Sequence, residues 1–399
     1  MKHFTRNLFR YLKCSLSRLT PRRRKVWLFG SAHSYADNTK YLFQYCNKYH
    51  KEIRSIWIAN SSEELILLRE SGCEAYLKKS VKTKLLTYFS KVFIYSSGVR
   101  DINMCAAQGA YKVNLWHGVG IKNIEFKIKV GPLAAQYADD TLLNRLNHLN
   151  NFTYPDLMLS TSPLMTELFS ECFRTSPSNC YEALYPRCEQ LLLSKEEVQA
   201  GIEKHESSQM LQFVNELKQY DKVYIYMPTW RDANRDFMEK EHFDFASLDV
   251  VMKSQNGLFI FKMHPLADIK ADNFVNYTSL LLLDSKYDIY PILPFTDVLI
   301  TDYSSIYYDY LLMKDKSTIL FPFDYEEYVT SSRDFAYPFD ECTYGEKSYS
   351  FEDLLNRLER QDFVSNSEEG AERIAQLFWG DRNRGSKEIV AEIKRRIKL

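Results

Sequence analysis

Two series of short apolar runs, each alternating with stretches of helical period, leave this chain few folds to choose from. The first series is KVWLFGS (25–31), RSIWIAN (54–60), KVFIYSS (91–97) and YKVNLWHG (111–118), with helical stretches at 37–49 and 62–71. Runs apolar on both faces suit strands of a parallel sheet covered by helices on each side. The rhythm loosens between 119 and 152 and resumes with PDLMLSTSPLMTELF (155–169). There a strand ends at Thr161, Ser162 caps, and Pro163 takes the first helical position. A polar helical stretch (194–217) then leads to KVYIYMPTWRD (222–232), GLFIFKMHP (257–265), DVLITDYSSIYYDYLLM (297–313) and STILFPFD (317–324). At 399 residues the chain is too long for one ordinary core. The order predicts an α/β architecture: two doubly wound Rossmann-like domains, 25–193 and 194–399, facing across a cleft.

The first 25 residues carry nine Lys or Arg and no acid, so the remaining 43 cations face 52 acids, a net of −9. A basic arm on an acidic body argues against a nucleic-acid partner and points to a local anionic contact. Phe4, Leu8, Leu12, Leu16 and Leu19 recur near helical spacing among the cations, and Pro21 closes the run. Residues 1–24 therefore read as a basic amphipathic helix lying on an anionic membrane surface, against the blander reading of a helix covering a domain edge. No segment approaches the roughly 20 apolar residues of a membrane span, and the N-terminus lacks the apolar core of a signal peptide. Eight scattered cysteines without a C-x-x-C pair are expected to be reduced thiols in a cytoplasmic protein.

Open parallel sheets bind ligands at the carboxyl ends of their strands. NLW ends in His117, YIYMPT in Arg231, FIFKM in His264-Pro265, and VLIT in Asp302-Tyr303-Ser304-Ser305 ahead of a helical stretch. Two serines opening a helix offer hydroxyls and free N–H groups to an anion, and Arg231 offers a fork of donors suited to phosphate. Taken singly, each has a plain alternative: a hydrogen-bonded structural histidine, a helix cap, a surface ion pair. Taken together, they suit a diphosphate held by the second domain with His117 facing it. No H-x-x-x-H or carboxylate–histidine cluster accompanies either histidine, so no metal site is expected.

LWHGVGIK, MPTWRD, FKMHP and TDYSSIYYDYLLMKDKSTILFPFDYEEY, in that order, resemble the blocks of the CDP-glycerol glycerophosphotransferase family, whose members make teichoic acids and related capsular polymers. Weaker likeness extends to WLFGSAHSYADNTKYLF and LMLSTSPLMTELFSECF, so the resemblance covers most of 26–345. It implies a GT-B-like fold and transfer of an alditol phosphate, glycerol phosphate first among them, from a CDP-alditol, with CMP released. It implies His117 and His264 as the catalytic histidines, His117 as the base and His264 also at the donor phosphates. Arg231, Ser304 and Ser305, with Asp302 and Asp309, become the donor side; Trp116, Gly118 and Lys122 become the acceptor side. It implies a lipid-linked or glycan acceptor, work at the inner face of the cell membrane, and no bound cofactor, Mg²⁺ being at most an aid to the assay. Two departures mark this chain. Val119-Gly120 stand where the family reads Thr-Pro, and LYPRCE (184–189) has lost a glycine and carries Glu189 for an aspartate. The competing readings are a GT-B glycosyltransferase using a nucleotide sugar, and a silent member holding an anionic polymer at the membrane.

Overall fold

The computed structural model describes residues 2–32, 34–137, 140–231, 238, 241–263 and 274–399, with the side chains of 2–4 outside that set. The first series becomes seven parallel strands, β1 (Arg23–Gly30), β2 (Arg54–Ala59), β3 (Ala75–Leu77), β4 (Ser90–Tyr95), β5 (Tyr111–Asn114), β6 (Leu157–Ser160) and β7 (Cys180–Glu182). They lie in the order β3-β2-β1-β4-β5-β6-β7. The second becomes β8 (Lys222–Tyr226), β9 (Gly257–Phe261), β10 (Leu280–Leu282), β11 (Val298–Thr301), β12 (Ser317–Leu320) and β13 (Val364–Ser365). Their order is β10-β9-β8-β11-β12-β13, parallel except for the β12–β13 pair. Each sheet reverses direction once, between β1 and β4 and between β8 and β11, and the crevice at such a point is where doubly wound sheets take ligands.

The strands are buried on both faces, as their composition requires: Trp27, Leu28, Phe29, Ile56, Trp57 and Ile58 are wholly inaccessible. Each fully buried Leu, Ile or Phe contributes about 1.5–3 kcal/mol. Helix starts follow local chemistry. Ser61 caps Ser62–Glu70, Ser162 caps Pro163–Cys172 with Pro163 in the first turn, and Ser194 forms a capping box with Glu197 ahead of Lys195–His205. The polar stretch expected as one connection is two helices, Lys195–His205 and Ser208–Leu217.

The expected division of the chain changes at both ends. Trp379 Nε1 donates to the Tyr308 carbonyl, and beyond it the chain returns to the N-terminal half. Leu184 N donates to the Arg384 carbonyl, and Lys394 pairs with Glu52 at 2.9 Å. The last helix (Ser386–Ile397) therefore packs on the first domain. At the start, the arm helix (Lys2–Leu16) and a 3-10 turn (Ser17–Leu19) end before residue 24. Arg22 already belongs to the body: its guanidinium donates to the carbonyls of Thr87, Ser90 and Ala106 at 2.7–2.9 Å.

The arm turns polar groups inward. Asn7 bonds Asn147 at 2.8 Å, Arg10 bonds the Leu146 carbonyl, and Cys14 and Ser17 are buried. Phe9, Leu12, Leu16 and Leu19 stand 53–81 % exposed. Leu8 is half-buried, Phe9 joins the outward stripe, and the Phe4 side chain lies outside the described residues. Cys14 pairs with Cys105, with Cα atoms 4.1 Å apart, while the other six cysteines are free. Eight reduced thiols are thus not what the structure holds, because spacing along the chain did not disclose that the arm folds back onto 105–109.

Candidate active site

β5 does not run straight into the W-H-G turn. Trp116 takes φ +53°, a left-handed conformation that costs a non-glycine residue about 1–3 kcal/mol and persists only when its surroundings fix it. Three successive carbonyls are held from elsewhere. Asn38 Nδ2 donates to those of Leu115 (3.3 Å) and Trp116 (2.8 Å), and Arg187 Nη1 donates to that of His117 (2.9 Å). Trp116 N in turn donates to Asn114 Oδ1 at 2.9 Å. Trp116 is buried against Phe173, and the exposed His117 ring lies on it with centroids 4.0 Å apart.

His117 Nδ1 sits 2.9 Å from the Ser96 carbonyl at the end of β4. A carbonyl only accepts, so Nδ1 carries a proton, and in the neutral ring Nε2 holds the lone pair. That is the form a general base needs.

The turn meets the second domain immediately. A Cβ on Gly118 would lie 2.7 Å from Ser305 Oγ and 2.9 Å from Ser305 Cβ. Gly120, at φ +151°, passes the Tyr308 ring. Where the family reads Thr-Pro, Val119 is therefore core and Gly120 supplies a conformation other residues avoid. Lys122 reaches across, its Nζ 3.5 Å from Thr229 Oγ1 and 5.6 Å from the Tyr328 ring centre. Asn123 and the backbone of Lys129 and Val130 close on Asp334 at 2.5–3.3 Å.

Across from this turn, Ser304 and Ser305 are half-buried at the end of β11, and the Ser305 hydroxyl is not consumed in capping. The helix behind them is Ile306–Tyr310, shorter than the 306–313 run suggests, so hydroxyls and local amides matter there more than a helix dipole. Arg231 is placed differently from expectation. It is buried, with Nε and Nη2 each 2.8 Å from Asp324 and Nη2 2.7 Å from Asp302, and it also donates to the Thr229 carbonyl. Burial lowers its pKa, and the Asp302 and Asp324 carboxylates more than reverse that. Asp302 also accepts from Thr229 N at 2.9 Å, so Arg231, Thr229 and Asp302 form one buried unit behind the half-buried Ser304 and Ser305. Asp309 likewise faces the interior: fully buried, it accepts from Arg187 at 2.8 Å and from the Tyr290 hydroxyl. His264 lies outside the described residues, as does Asp232.

Several groups around the site carried no motif of their own. Arg187, Asp37, Asn38 and Asp324 all lie in stretches that resemble the family, but which groups they meet depends on chain 70 to 150 residues away. Glu189, the other departure, accepts from Ser386 N and Oγ at 2.5 and 2.7 Å and so fastens the returning helix. At the carboxyl end of β12 a pocket of about 650 Å³ is lined by Phe323, Asp324, Glu326, Asp340 and Tyr349 among others. Among the described residues no three His, Cys, Asp or Glu side chains are grouped to hold a metal ion.

Residues 12–392 match the family model of the CDP-glycerol:poly(glycerophosphate) glycerophosphotransferases. The chain is 28% identical over 261 residues to the teichoic acid ribitol-phosphate polymerase TarL of Staphylococcus aureus, covering 63% of this chain but 42% of that protein. It thus spans less than half of that relative's length. It is 23% identical over 388 residues to the teichoic acid poly(glycerol phosphate) polymerase of Bacillus spizizenii, covering 94% and 93% of the two. The solved wall teichoic acid polymerase TagF superposes with a TM-score of 0.73 at 21% identity, over 100% of this chain and 97% of that one. That likeness fixes the fold as GT-B-like.

Proposed function

The chain belongs to the CDP-glycerol:poly(glycerophosphate) glycerophosphotransferase family, and from that membership we propose that it transfers glycerol phosphate, or a related alditol phosphate, from a CDP-alditol to an acceptor hydroxyl. The observation that carries this reading is His117, its Nδ1 engaged by the Ser96 carbonyl, on a turn pressed against Ser305 of the other domain. The acceptor oxygen attacks the phosphorus that bears the alditol, the bond from that phosphorus to the oxygen shared with CMP breaks, and His117 Nε2 takes the hydroxyl proton. Such a reaction asks little covalent help; alignment and charge neutralisation provide most of the acceleration. Ser304, Ser305 and His264 hold the diphosphate. Arg231 acts from behind, holding Asp302 and Asp324 and with them the floor of the donor side. A TagF variant soaked with CDPG supports CDP-glycerol as the first donor to try.

The acceptor is lipid-linked or a glycan, and the protein works as a peripheral protein on the inner face of the cell membrane in teichoic-acid-like or capsular polymer synthesis. What supports the membrane contact is the arm's reversed burial, with polar groups on the body and Phe9, Leu12, Leu16 and Leu19 outward. Val81, Leu85 and Phe89 add a second exposed stripe, one helical turn apart on Val81–Phe89, whose end Arg22 ties to the arm. Lys82 and Lys84 flank that stripe and Arg6 and Lys13 the first, the mix of apolar area and cations that anionic lipid selects. No helix among the described residues is long and apolar enough to cross a membrane.

The test is to offer purified protein CDP-glycerol, CDP-ribitol and nucleotide sugars with a lipid-linked acceptor, and to separate the nucleotides formed. CMP from a CDP-alditol is the expected result. A nucleoside diphosphate from a sugar donor in its place replaces this reading with glycosyl transfer.

A further inference from the structure

We propose that Arg187 is the positioning residue that sets His117 against the donor domain, by gripping both halves of the site with one guanidinium. The inference rests on the transfer reading above. Arg187 Nη1 donates to the His117 carbonyl at 2.9 Å and to Asp37 Oδ1 at 2.7 Å, while Nη2 donates to Asp309 Oδ2 at 2.8 Å. Asp309 stands four residues after Ser305 on the same turn of chain, so the fork spans from the base to the segment that faces the donor. The Arg187 backbone N–H donates to Asn38 Oδ1, and Asn38 holds the two carbonyls just before that of His117.

The assembly is specific to arginine. Three acceptors lie around two terminal nitrogens, an arrangement a lysine ammonium on a flexible stem cannot satisfy together. Arg187 is 5 % exposed, and the Tyr290 ring centre lies 4.6 Å from its central carbon, so the fork is packed against a ring as well as hydrogen-bonded. Asp37, its second carboxylate, is itself in a left-handed conformation at φ +66°. Two left-handed residues, Asp37 and Trp116, thus meet through Arg187 and Asn38, and strain over-determined in this way marks a turn fixed for function. Domain closure and base orientation become one event: Arg187 reaches Asp309 only when the domains are together, and the same side chain then fixes the His117 backbone.

The test is Arg187→Lys, alone and with His117→Ala, on the full chain. Turnover in CMP release is expected to fall about 10–100-fold, as for a reacting group displaced by less than 1 Å. CDP-glycerol affinity by calorimetry stays within about twofold, and in the His117→Ala background the second change costs no more than about twofold, because groups acting as a unit are not additive. Asp309→Asn, which keeps the shape of its side chain, reports the same path from the donor end if Arg187→Lys does not fold, and the same non-additive loss is expected. An equal loss with and without His117, or unchanged turnover in the variant that folds, overturns the proposal. Should the wild-type protein release no CMP, the transfer reading fails on its own. The coupling is then read from the His117 imidazole ¹⁵N signal, assigned by its loss in His117→Ala: movement in Arg187→Lys upholds it, and a signal left in place overturns it.

Discussion

A single methyl group at Gly118 tests whether the two domains meet as closely as the structure has them. In Gly118→Ala the new Cβ falls 2.7 Å from Ser305 Oγ and 2.9 Å from Ser305 Cβ. Carbon atoms prefer about 3.5–4.0 Å, so the Cβ–Cβ approach is short by about 0.6 Å or more. Rotating the serine hydroxyl relieves the first contact and not the second. The backbone cannot give way freely either, because Arg187–Asp309 and Lys40–Asp288 bridge the halves at 2.8 Å each. Overpacking of this kind costs about 1–3 kcal/mol, and a displacement approaching 1 Å at a reacting centre costs up to about 10²-fold in rate. Calorimetric unfolding and CMP release are the assays. The diagnostic comparison is Gly118→Ala with Ser305→Gly, which removes both atoms that the methyl meets. Its stability should recover to within about 0.5 kcal/mol of Ser305→Gly alone, whereas independent sites would add. A Gly118→Ala protein of normal stability and rate, or a double variant showing simple addition, would refute the close approach.

His117→Ala should lose about 10²–10⁴ in turnover while keeping its donor affinity, the signature of a lost general base; near-normal turnover returns the residue to a structural role. On the full chain, Phe9, Leu12 and Leu16 changed together to Ser should abolish sedimentation with anionic vesicles while activity on a soluble acceptor analogue persists. Wild-type binding should weaken with added salt, since screening acts over about 8–10 Å; unaltered sedimentation of the triple variant would move the contact elsewhere. Burial first, then the charges of Lys204, Lys40 and Lys48, lower the pKa of His205 to about 4. The unfolded chain therefore binds more protons between about pH 6.5 and 4, and stability falls as pH falls through that window. His205→Asn should remove about 1–2 kcal/mol of that loss, discounted for a half-exposed ring, and urea titrations with parallel pH slopes for the two proteins would contradict it.

What could be read along the chain was whatever local composition decides. Runs such as VWLFG and LFIFK are buried on both faces because they become interior strands. β3, β7, β10 and β13, of two or three residues each, leave no periodic trace and take their pairing from neighbouring strands. Arg231 was legible as a strand-end cation. That it would be engaged by Asp324, 93 residues later, was not. Arg187 is the clearest case, since its meaning depends on Asp37 and Asp309, 150 and 122 residues away. The arm was legible as amphipathic, yet which face would turn outward was settled only by Asn147, Leu146 and Cys105 on the body.

The central claim concerns which bond breaks, and a labelled donor answers it directly. CDP-glycerol carrying ³²P only in the phosphorus next to glycerol should, with the wild-type protein and a lipid-linked acceptor, pass its label to the acceptor and release unlabelled CMP. Labelled CDP, with the acceptor unlabelled, would mean attack at carbon and would contradict phosphoryl transfer outright.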